Sequence, residues 1–166
     1  MISSVATQKD LTGVSFCCGN AYIDNYFANE ILKDSDAVSY CFWTDETKQE
    51  LVGIASLSCS GILVTSHSQL SLHPAVEVKI FAVDVKYQHK TFPNEGENWS
   101  DYCWYYLMKI IYDITKNSCG ASHVVLYSVP DAVNFYKRKH FNCFTDDMTK
   151  PANWSIQDCE PMFVNL

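Results

Sequence analysis

A strand, a loop and a helix between residues 75 and 117 have the features of a phosphate-binding site. Residues 75–85 (AVEVKIFAVDV) are the strongest strand candidate, and residues 87–100 (YQHKTFPNEGENWS) are loop by composition. Ser100 or Asp101 is a suitable cap for a helix over about 101–117, whose N-terminal N–H groups and dipole attract anions. The loop adds polar groups and one flexible glycine, namely Gln88, His89, Lys90, Asn94 and Gly96. Because every strand–loop–helix unit has such a helix terminus, a purely structural connection is the alternative.

Tyr136 is the candidate proton donor. It lies in VPDAVNFYKRKHF (129–141), where Pro130 precedes a predicted short helix over 131–139 that ends in a basic run. A tyrosine hydroxyl near the end of such a helix can protonate a leaving group. The alternative is a half-buried tyrosine that packs under the sheet.

Charge is unevenly distributed along the chain. The net charge is −7, and residues 1–78 hold nine carboxylates but only three lysines. Half of the twelve basic residues fall in two clusters, which are Lys79, Lys86 and Lys90, then Lys137, Arg138 and Lys139. An acidic half with compact basic clusters suits a cationic substrate and a polyanionic cofactor, whereas a solvated acidic surface is the plainer alternative. Nucleic-acid binding through a broad basic surface is disfavoured.

The composition favours a single globular domain over residues 1–166, located in the cytoplasm. Of the 166 residues, 48% are hydrophobic and 19% are charged, which is enough apolar surface for a core. No apolar run approaches the roughly 18 residues of a membrane helix, and the start MISSVATQKD does not resemble a secretory signal. The eight cysteines include no C-x-x-C pair, so we expect reduced thiols and no metal site.

Hydrophobic periodicity predicts a mixed sheet covered by helices, with one strand–helix–strand unit at its centre. The predicted strands are 14–18, 38–44, 51–60, 75–85, 122–129, 141–145 and 160–165, and the predicted helices are 21–33, 101–117 and 131–139. Strands 38–44 and 51–60 flank the polar turn DETKQE and form a hairpin. Asn20 is the expected N-cap of helix 21–33, and residues 61–73 are interpreted as an irregular connection.

Three segments together resemble the GNAT superfamily of N-acetyltransferases. AVEVKIFAVDVKYQHKTF (75–92) resembles its signature strand and Q/R-x-x-G-x-G/A loop, and DAVNFYKRKHF (131–141) resembles its A-x-x-F/L-Y-x-x-x-G-F element. FCCGNAYIDNYFANEI (16–31) resembles the start of a bacterial branch that includes acetyltransferase toxins acting on aminoacyl-tRNA. The chain departs from the pattern at Thr91 and Pro93, where the loop should carry glycines, and at His140, which replaces the glycine of the G-F pair.

The resemblance implies a fold and a cofactor. The fold is α+β (mixed α/β), with a GNAT-like central mixed sheet that is mostly antiparallel and is flanked by helices. A splayed strand pair, 75–85 and 122–129, forms the slot for acetyl-CoA, which is a co-substrate. By resemblance, the pantetheine arm lies along Phe81, Ala82 and Val83. The other implied cofactor-binding residues are Gln88, His89, Lys90, Gly96, Ser100 and Asn134.

The resemblance also implies a direct acetyl transfer to a primary amine in a ternary complex. Tyr136 is the implied general acid, Glu77 a candidate proton acceptor, and a backbone N–H near Val83 a candidate oxyanion donor. Glu77 can instead make a structural ion pair. The acceptor is expected to be a small or amino-terminal amine that carries positive charge. Two alternatives stay open: a toxin that acetylates aminoacyl-tRNA, and a non-catalytic acyl-CoA-binding or interaction domain. A homodimer is compatible with the sequence, and no membrane partner is expected.

Overall fold

A computed structural model describes residues 1–93, 96–149 and 158–166. The chain forms two compact units, Met1–Leu57 with Ile80–Ile111, and Ser58–Lys79 with Tyr112–Leu166. In chain order the elements are β1 (Ile2–Val5), α1 (Gln8–Leu11), α2 (Ala21–Asn29), β2 (Val38–Trp43), β3 (Leu51–Ser66), β4 (Gln69–Val83), α3 (Trp99–Asn117), β5 (His123–Ser128), a 3-10 turn (Pro130–Ala132), α4 (Val133–Arg138), β6 (Asn142–Cys143), β7 (Met148–Thr149) and β8 (Glu160–Asn165).

The strands of the described residues form one mixed, mostly antiparallel sheet. Its order is β1-β2-β3-β4-β5-β8-β6, and β7 pairs with β3. The parallel pair is β4 with β5, in which Ala75–Val78 align with His123–Leu126, and α3 lies between these two strands in the chain. Both the predicted α+β architecture and its strand–helix–strand unit are therefore confirmed.

In the first unit, α2 begins where the sequence predicts. The Asn20 side chain accepts hydrogen bonds from the N–H groups of Tyr22 (3.0 Å) and Ile23 (3.3 Å), which satisfies two donors that have no partner inside the helix. The helix ends at Asn29, four residues before the predicted end. Its buried residue Tyr26 packs in an apolar cluster with Phe16, Ile31, Cys41, Trp43, Leu51, Ile54, Ile80 and Ala82.

The close approach of β3 to β4 in this unit requires a glycine. A Cβ on Gly53 would lie 2.8 Å from the carbonyl oxygen of Ala82 and 3.4 Å from the Cys103 sulfur on α3. Because Cys103 and its helix neighbour Trp104 are buried, α3 cannot easily move away to make room for a side chain at position 53. Trp104 in turn meets the ring of Phe81 edge-on at 5.1 Å. Packing from α3 therefore fixes the C-terminal part of β4.

The second unit has its own apolar cluster. Ile62, Ala75 and Val125 form its buried centre, and the partly buried side chains against them are Val64, Phe144, Met148 and Phe163. The strand β8 pairs with β5 along its whole length, from His123↔Asn165 to Ser128↔Glu160. This unit carries α4 and therefore Tyr136.

Two sequence predictions about strands are wrong. Residues 14–18 are not a strand, and the edge strand is instead β1, which pairs with β2 from Ile2↔Trp43 to Val5↔Tyr40. Residues 61–73 are not irregular, because β3 continues to Ser66 and β4 begins at Gln69. His67 and Ser68 both have positive φ (48° and 66°) and turn the chain between them. Such a two-residue turn is usually marked by glycine or asparagine, and neither is present here.

Within the described residues, none of the helices combines the length and the apolar character that crossing a membrane requires.

Candidate functional site

The C-terminal end of β4 is held by Asp84, a residue that the sequence analysis did not select. Asp84 is 3% exposed. Its Oδ2 accepts a hydrogen bond from the N–H of Cys17 (3.0 Å), and its Oδ1 accepts one from the N–H of Lys86 (2.9 Å). The bond to the amide two residues ahead makes an Asx-type turn. An aspartate at the end of an apolar strand is the sequence signal that could have identified it.

Gln88 lies in the turn that follows, and its side chain binds carbonyl groups of the protein. Its Nε2 donates to the carbonyl oxygens of Cys18 and Val83, both at 2.8 Å. Its backbone N–H donates to the carbonyl oxygen of Asp84 at 3.1 Å. The side-chain and backbone donors of this predicted cofactor ligand are therefore engaged inside the first unit.

The loop from Tyr87 to Asn98 is closed by aromatic rings where the GNAT pattern has glycines. The ring of Trp99 lies 4.9 Å from that of Tyr87, at a tilt, and 4.5 Å from that of Phe92, edge-on. The Phe92 ring lies 4.3 Å from that of Tyr102. The N–H of Trp99 donates to Lys90 O (3.1 Å), and the N–H of Lys90 donates to Tyr87 O (3.3 Å). Several loop amides are thus occupied by the loop itself. Asn94 and Glu95 lie outside the described residues.

The helix α3 begins two residues earlier than predicted. Its first residue is Trp99, and the carbonyl oxygen of Asn98 accepts from the N–H groups of Asp101 (3.0 Å) and Tyr102 (3.3 Å). Ser100 therefore lies inside the first turn and is half-buried. The prediction that Ser100 or Asp101 caps the helix from outside is wrong, because helical backbone already includes both residues.

The remaining predicted cofactor residues of the first unit differ in exposure. Ala82 and Val83 are buried, and Phe81 is partly buried against Trp104. His89, Lys90 and Gly96 are exposed. His89 (φ 56°) and Gly96 (φ 75°) both have left-handed backbone, and a Cβ on Gly96 would have no described atom within 4 Å. Gly96 thus serves the turn of the loop.

In the second unit, Tyr136 is buried on α4. It is 7% exposed, and its ring lies 5.2 Å from Phe135 and 5.9 Å from Phe141. Burial raises the pKa of its hydroxyl well above the ordinary tyrosine value, so the hydroxyl keeps its proton at neutral pH. Two backbone hydrogen bonds at the end of α4 hold this residue in place. Its carbonyl oxygen accepts them from the N–H groups of Lys139 (2.9 Å) and Phe141 (3.0 Å). Asn134, also on α4, is exposed.

Glu77 is a buried carboxylate on β4, also in the second unit. It is 5% exposed and aligns with Val125 on the neighbouring strand. Burial of Tyr127, followed by its electrostatic interaction with Glu77, raises the pKa of Tyr127 to about 12. Since side chains on a strand alternate with period two, Val125 and Tyr127 point to the same face of β5. Sequence reasoning selected Glu77 but missed Tyr127, whose significance depends on strand register.

Cavities lined by described residues open on the first unit. One, of about 600 Å³, is bordered by α1, the β2–β3 turn and the turn after β4. It contains Lys9 and Lys86, and a salt bridge joins Lys48 to Asp10 at 2.9 Å. Hydrogen bonding to Lys48 lowers the pKa of Asp10. This cavity is polar and mixed in charge.

The second cavity, of about 500 Å³, lies between α1 and α2. Its apolar lining includes Phe16 and Phe27, whose rings are 5.1 Å apart. The carboxyl groups at its border belong to Asp24 and Glu30. A hydrogen bond from the N–H of Cys18 (2.7 Å) lowers the pKa of Asp24, so its carboxylate is ionised at neutral pH. Polar residues make up about half of its lining, and these include Lys33 beside the two carboxyl groups. Its volume is within the range of small-molecule sites.

Among the described residues, no group of three or more histidine, cysteine, aspartate or glutamate side chains is arranged to hold a metal ion. All eight cysteines lie in the described part of the chain, and all are free thiols.

No protein-family model matches the sequence, and no curated protein is similar to it in sequence. Solved structures do match. A bacterial toxin is 24% identical with a TM-score of 0.73 over 99% of this chain and 90% of that one. A tyrosine-to-phenylalanine mutant of the AtaT toxin, bound to acetyl-CoA and the C-terminus of antitoxin AtaR, is 13% identical with a TM-score of 0.69, covering 99% and 92%. AtaT with acetyl-methionyl-tRNA is 15% identical with a TM-score of 0.70, covering 99% and 94%. The chain has the GNAT fold of these toxins.

Proposed function

We propose that this chain is an acetyl-CoA-dependent N-acetyltransferase. The observation that carries the proposal is the GNAT fold, shared over nearly the whole chain with a toxin whose structure holds acetyl-CoA. Fold alone does not fix chemistry, so the proposal also relies on the residues that could perform it. These are a buried protonated tyrosine, Tyr136, and a buried carboxylate, Glu77.

The cofactor is proposed to lie along the C-terminal part of β4. The parallel pairing of β4 ends at Val78, whereas the strand continues to Val83. The amide-containing pantetheine arm can add to such a strand edge through the backbone of Phe81, Ala82 and Val83. Because the Val83 carbonyl already accepts from Gln88, the arm would depend more on the backbone before it.

The pyrophosphate is proposed to lie at the loop between β4 and α3. Amides of Gln88 and Lys90 donate within the loop, so they are not ready-made phosphate donors. The positive side chain of Lys90 and the exposed backbone at His89 and Gly96 are the groups proposed to contact it, with Ser100 in the first turn of α3. Asn134 is proposed as a further cofactor contact from α4.

The transfer is proposed to run by direct attack. The acceptor nitrogen forms a bond to the thioester carbonyl carbon, and the resulting oxyanion is held by a backbone N–H near Val83. The carbon–sulfur bond then breaks, and the CoA thiolate takes its proton from Tyr136. The proton lost by the amine goes to Glu77, directly or through water.

Calorimetry with acetyl-CoA is the first test. We expect saturable binding below millimolar concentration, competition by CoA, and no competition by an equal concentration of free acetate. The physical reason is that most of the affinity would come from the pantetheine and phosphate groups, which CoA retains. Absence of heat at millimolar acetyl-CoA would contradict the proposed function, whereas binding without turnover of any acceptor would favour a non-catalytic acyl-CoA-binding domain.

The acceptor is proposed to be a cationic amine that binds the cavity between α1 and α2. Two acidic residues, the ionised Asp24 and Glu30, line the cavity against one lysine, Lys33, and the chain itself has a net charge of −7. We expect the KM of cationic amines to rise several-fold between about 50 and 500 mM salt, because salt screens exposed charges. Neutral amines serve as the matched control. Equal KM values and no salt effect for both classes would show that the acidic half is only a solvated surface.

Acetylation of aminoacyl-tRNA is the second candidate function. The structure of AtaT with acetyl-methionyl-tRNA favours it, and the segment 16–31 resembles the same branch. The net charge of −7 opposes it, since tRNA binding depends on neutralising phosphates. A thiol-release assay with polyamines, aminoglycosides, amino acids and charged tRNA separates the two candidates. An antitoxin like AtaR, bound to AtaT in one neighbour, would be the partner expected with this second function.

A further inference from the structure

The Gln88 side chain joins two segments of the first unit that are far apart in sequence. Its Nε2 has two hydrogens, and the two carbonyl oxygens that accept them belong to Val83, at the end of β4, and Cys18, just before α2. Both distances are 2.8 Å, within the ordinary range of an N–H···O bond. A single amide group therefore fastens the end of the strand to the start of the helix.

The segment before α2 is held against the end of β4 by other bonds as well. The N–H of Cys17 donates to Asp84, and the N–H of Val85 donates to the carbonyl oxygen of Cys17 (2.9 Å). Gly19 has left-handed backbone (φ 84°) and faces the Val85 side chain. Within this set, Gln88 is the member that also holds Cys18, whose N–H is bound by Asp24 of α2.

We infer that Gln88 is a positioning residue that couples the segment Cys17–Asn20 to the end of β4, and that its side chain does not contact the cofactor. The second cavity is bordered by Phe16 and Asp24 on either side of this segment. Loss of the Gln88 bonds would therefore loosen the border of the acceptor cavity while leaving the β4–α3 loop closed by its aromatic rings. This inference rests on the proposed function only for its effect on acceptor kinetics.

The test replaces Gln88→Met, which keeps the length of the side chain but removes both donors. Hydrogen exchange of the amides at residues 17–20 should accelerate by about 10- to 100-fold, since two hydrogen bonds of ordinary net strength are lost. Exchange within β2 and β3 should stay within about threefold, and so should the acetyl-CoA Kd measured by calorimetry. Gln69→Met, at the exposed first residue of β4, is the matched control and should change none of these.

Gln88→Asn and the acceptor kinetics sharpen the test. Asn keeps the amide but is one methylene shorter, so it can reach one carbonyl oxygen and should give an intermediate acceleration at residues 17–20. With an acceptor identified, Gln88→Met should raise the acceptor KM by about tenfold and change kcat and the acetyl-CoA KM by less than threefold.

Two results would overturn the inference. One is a tenfold or greater loss of acetyl-CoA affinity with wild-type exchange at residues 17–20, which would make Gln88 a cofactor ligand. The other is exchange that is unchanged, or that accelerates evenly over the chain. If the wild-type protein neither binds acetyl-CoA nor turns it over, the proposed function fails, and the exchange experiment still decides the role of Gln88.

Discussion

Replacing Tyr136 with phenylalanine should lower acetyl transfer by about 10²- to 10⁴-fold, the range for loss of a positioned proton donor. The change removes one hydroxyl and keeps the ring between Phe135 and Phe141. Acetyl-CoA affinity should stay within about threefold. The melting temperature should fall by a few degrees at most, since one hydrogen bond of ordinary net strength is the largest expected loss.

The comparison for this variant is Tyr105→Phe, which removes a hydroxyl from an exposed tyrosine on α3 and should leave turnover unchanged. Turnover, acetyl-CoA affinity and melting of Tyr136→Phe distinguish three roles. A purely packing tyrosine gives near-normal turnover, or a loss explained by instability. A loss of only a few-fold means that water replaces the phenol. Normal turnover in a stable variant that binds acetyl-CoA would contradict the general-acid assignment.

The pH dependence follows from the burial of Tyr136. Because its pKa is raised, its hydroxyl stays protonated above the pH at which an exposed tyrosine ionises. The donor is thus available throughout the neutral range, and its ionisation should not cause a decline in rate near pH 9. A raised pKa also weakens the acid, so proton transfer from Tyr136 depends on the thiolate forming beside it.

The parts of the fold that the sequence predicts well are those whose signals are local. Asn20 precedes an amphipathic run, and the structure caps α2 there. The helical spacing after residue 100 likewise predicts α3 closely. The apolar run at 75–85 predicts the C-terminal part of β4, which begins six residues earlier, at Gln69. The predictions fail where contacts with residues far away in the sequence determine the local structure. Residues 61–73 lack a strong turn signal, and their strand conformation depends on pairing across the His67–Ser68 turn.

In the candidate site, too, local sequence signals identify some residues, whereas the surroundings of these residues depend on distant contacts. Tyr136 and Glu77 are selected from sequence, but the burial of both depends on packing that no local pattern reports. Gln88 matches the GNAT loop pattern, although the structure directs its amide towards Cys18 and Val83, which lie on other segments. Sequence reasoning misses Asp84 because the apolar pattern at 75–85 includes this acidic residue in the predicted strand.

Replacing Asp84 with alanine should reduce the free energy of unfolding by about 2–4 kcal/mol. The buried carboxylate accepts hydrogen bonds from the N–H groups of Cys17 and Lys86, and a buried donor left without an acceptor costs about 1–3 kcal/mol. Water entering the vacated space would limit the loss for Lys86, which is exposed. Asp84→Asn keeps one acceptor oxygen, so we expect about half the effect.

Urea denaturation measures both Asp84 variants, and Asp146→Ala is the charge-matched control. Asp146 is exposed, and its removal changes the net charge of −7 by the same single unit. Any stability gained by relieving repulsion among acidic residues therefore appears in the control and can be subtracted. If Asp84→Ala lies within about 0.5 kcal/mol of Asp146→Ala, the carboxylate does not hold the end of β4. If the free energy of unfolding of Asp84→Ala is 2 kcal/mol or more below that of Asp146→Ala, the turn that carries Gln88 depends on the buried carboxylate of Asp84. A solvated aspartate at the start of the proposed cofactor loop would not stabilise the turn in this way.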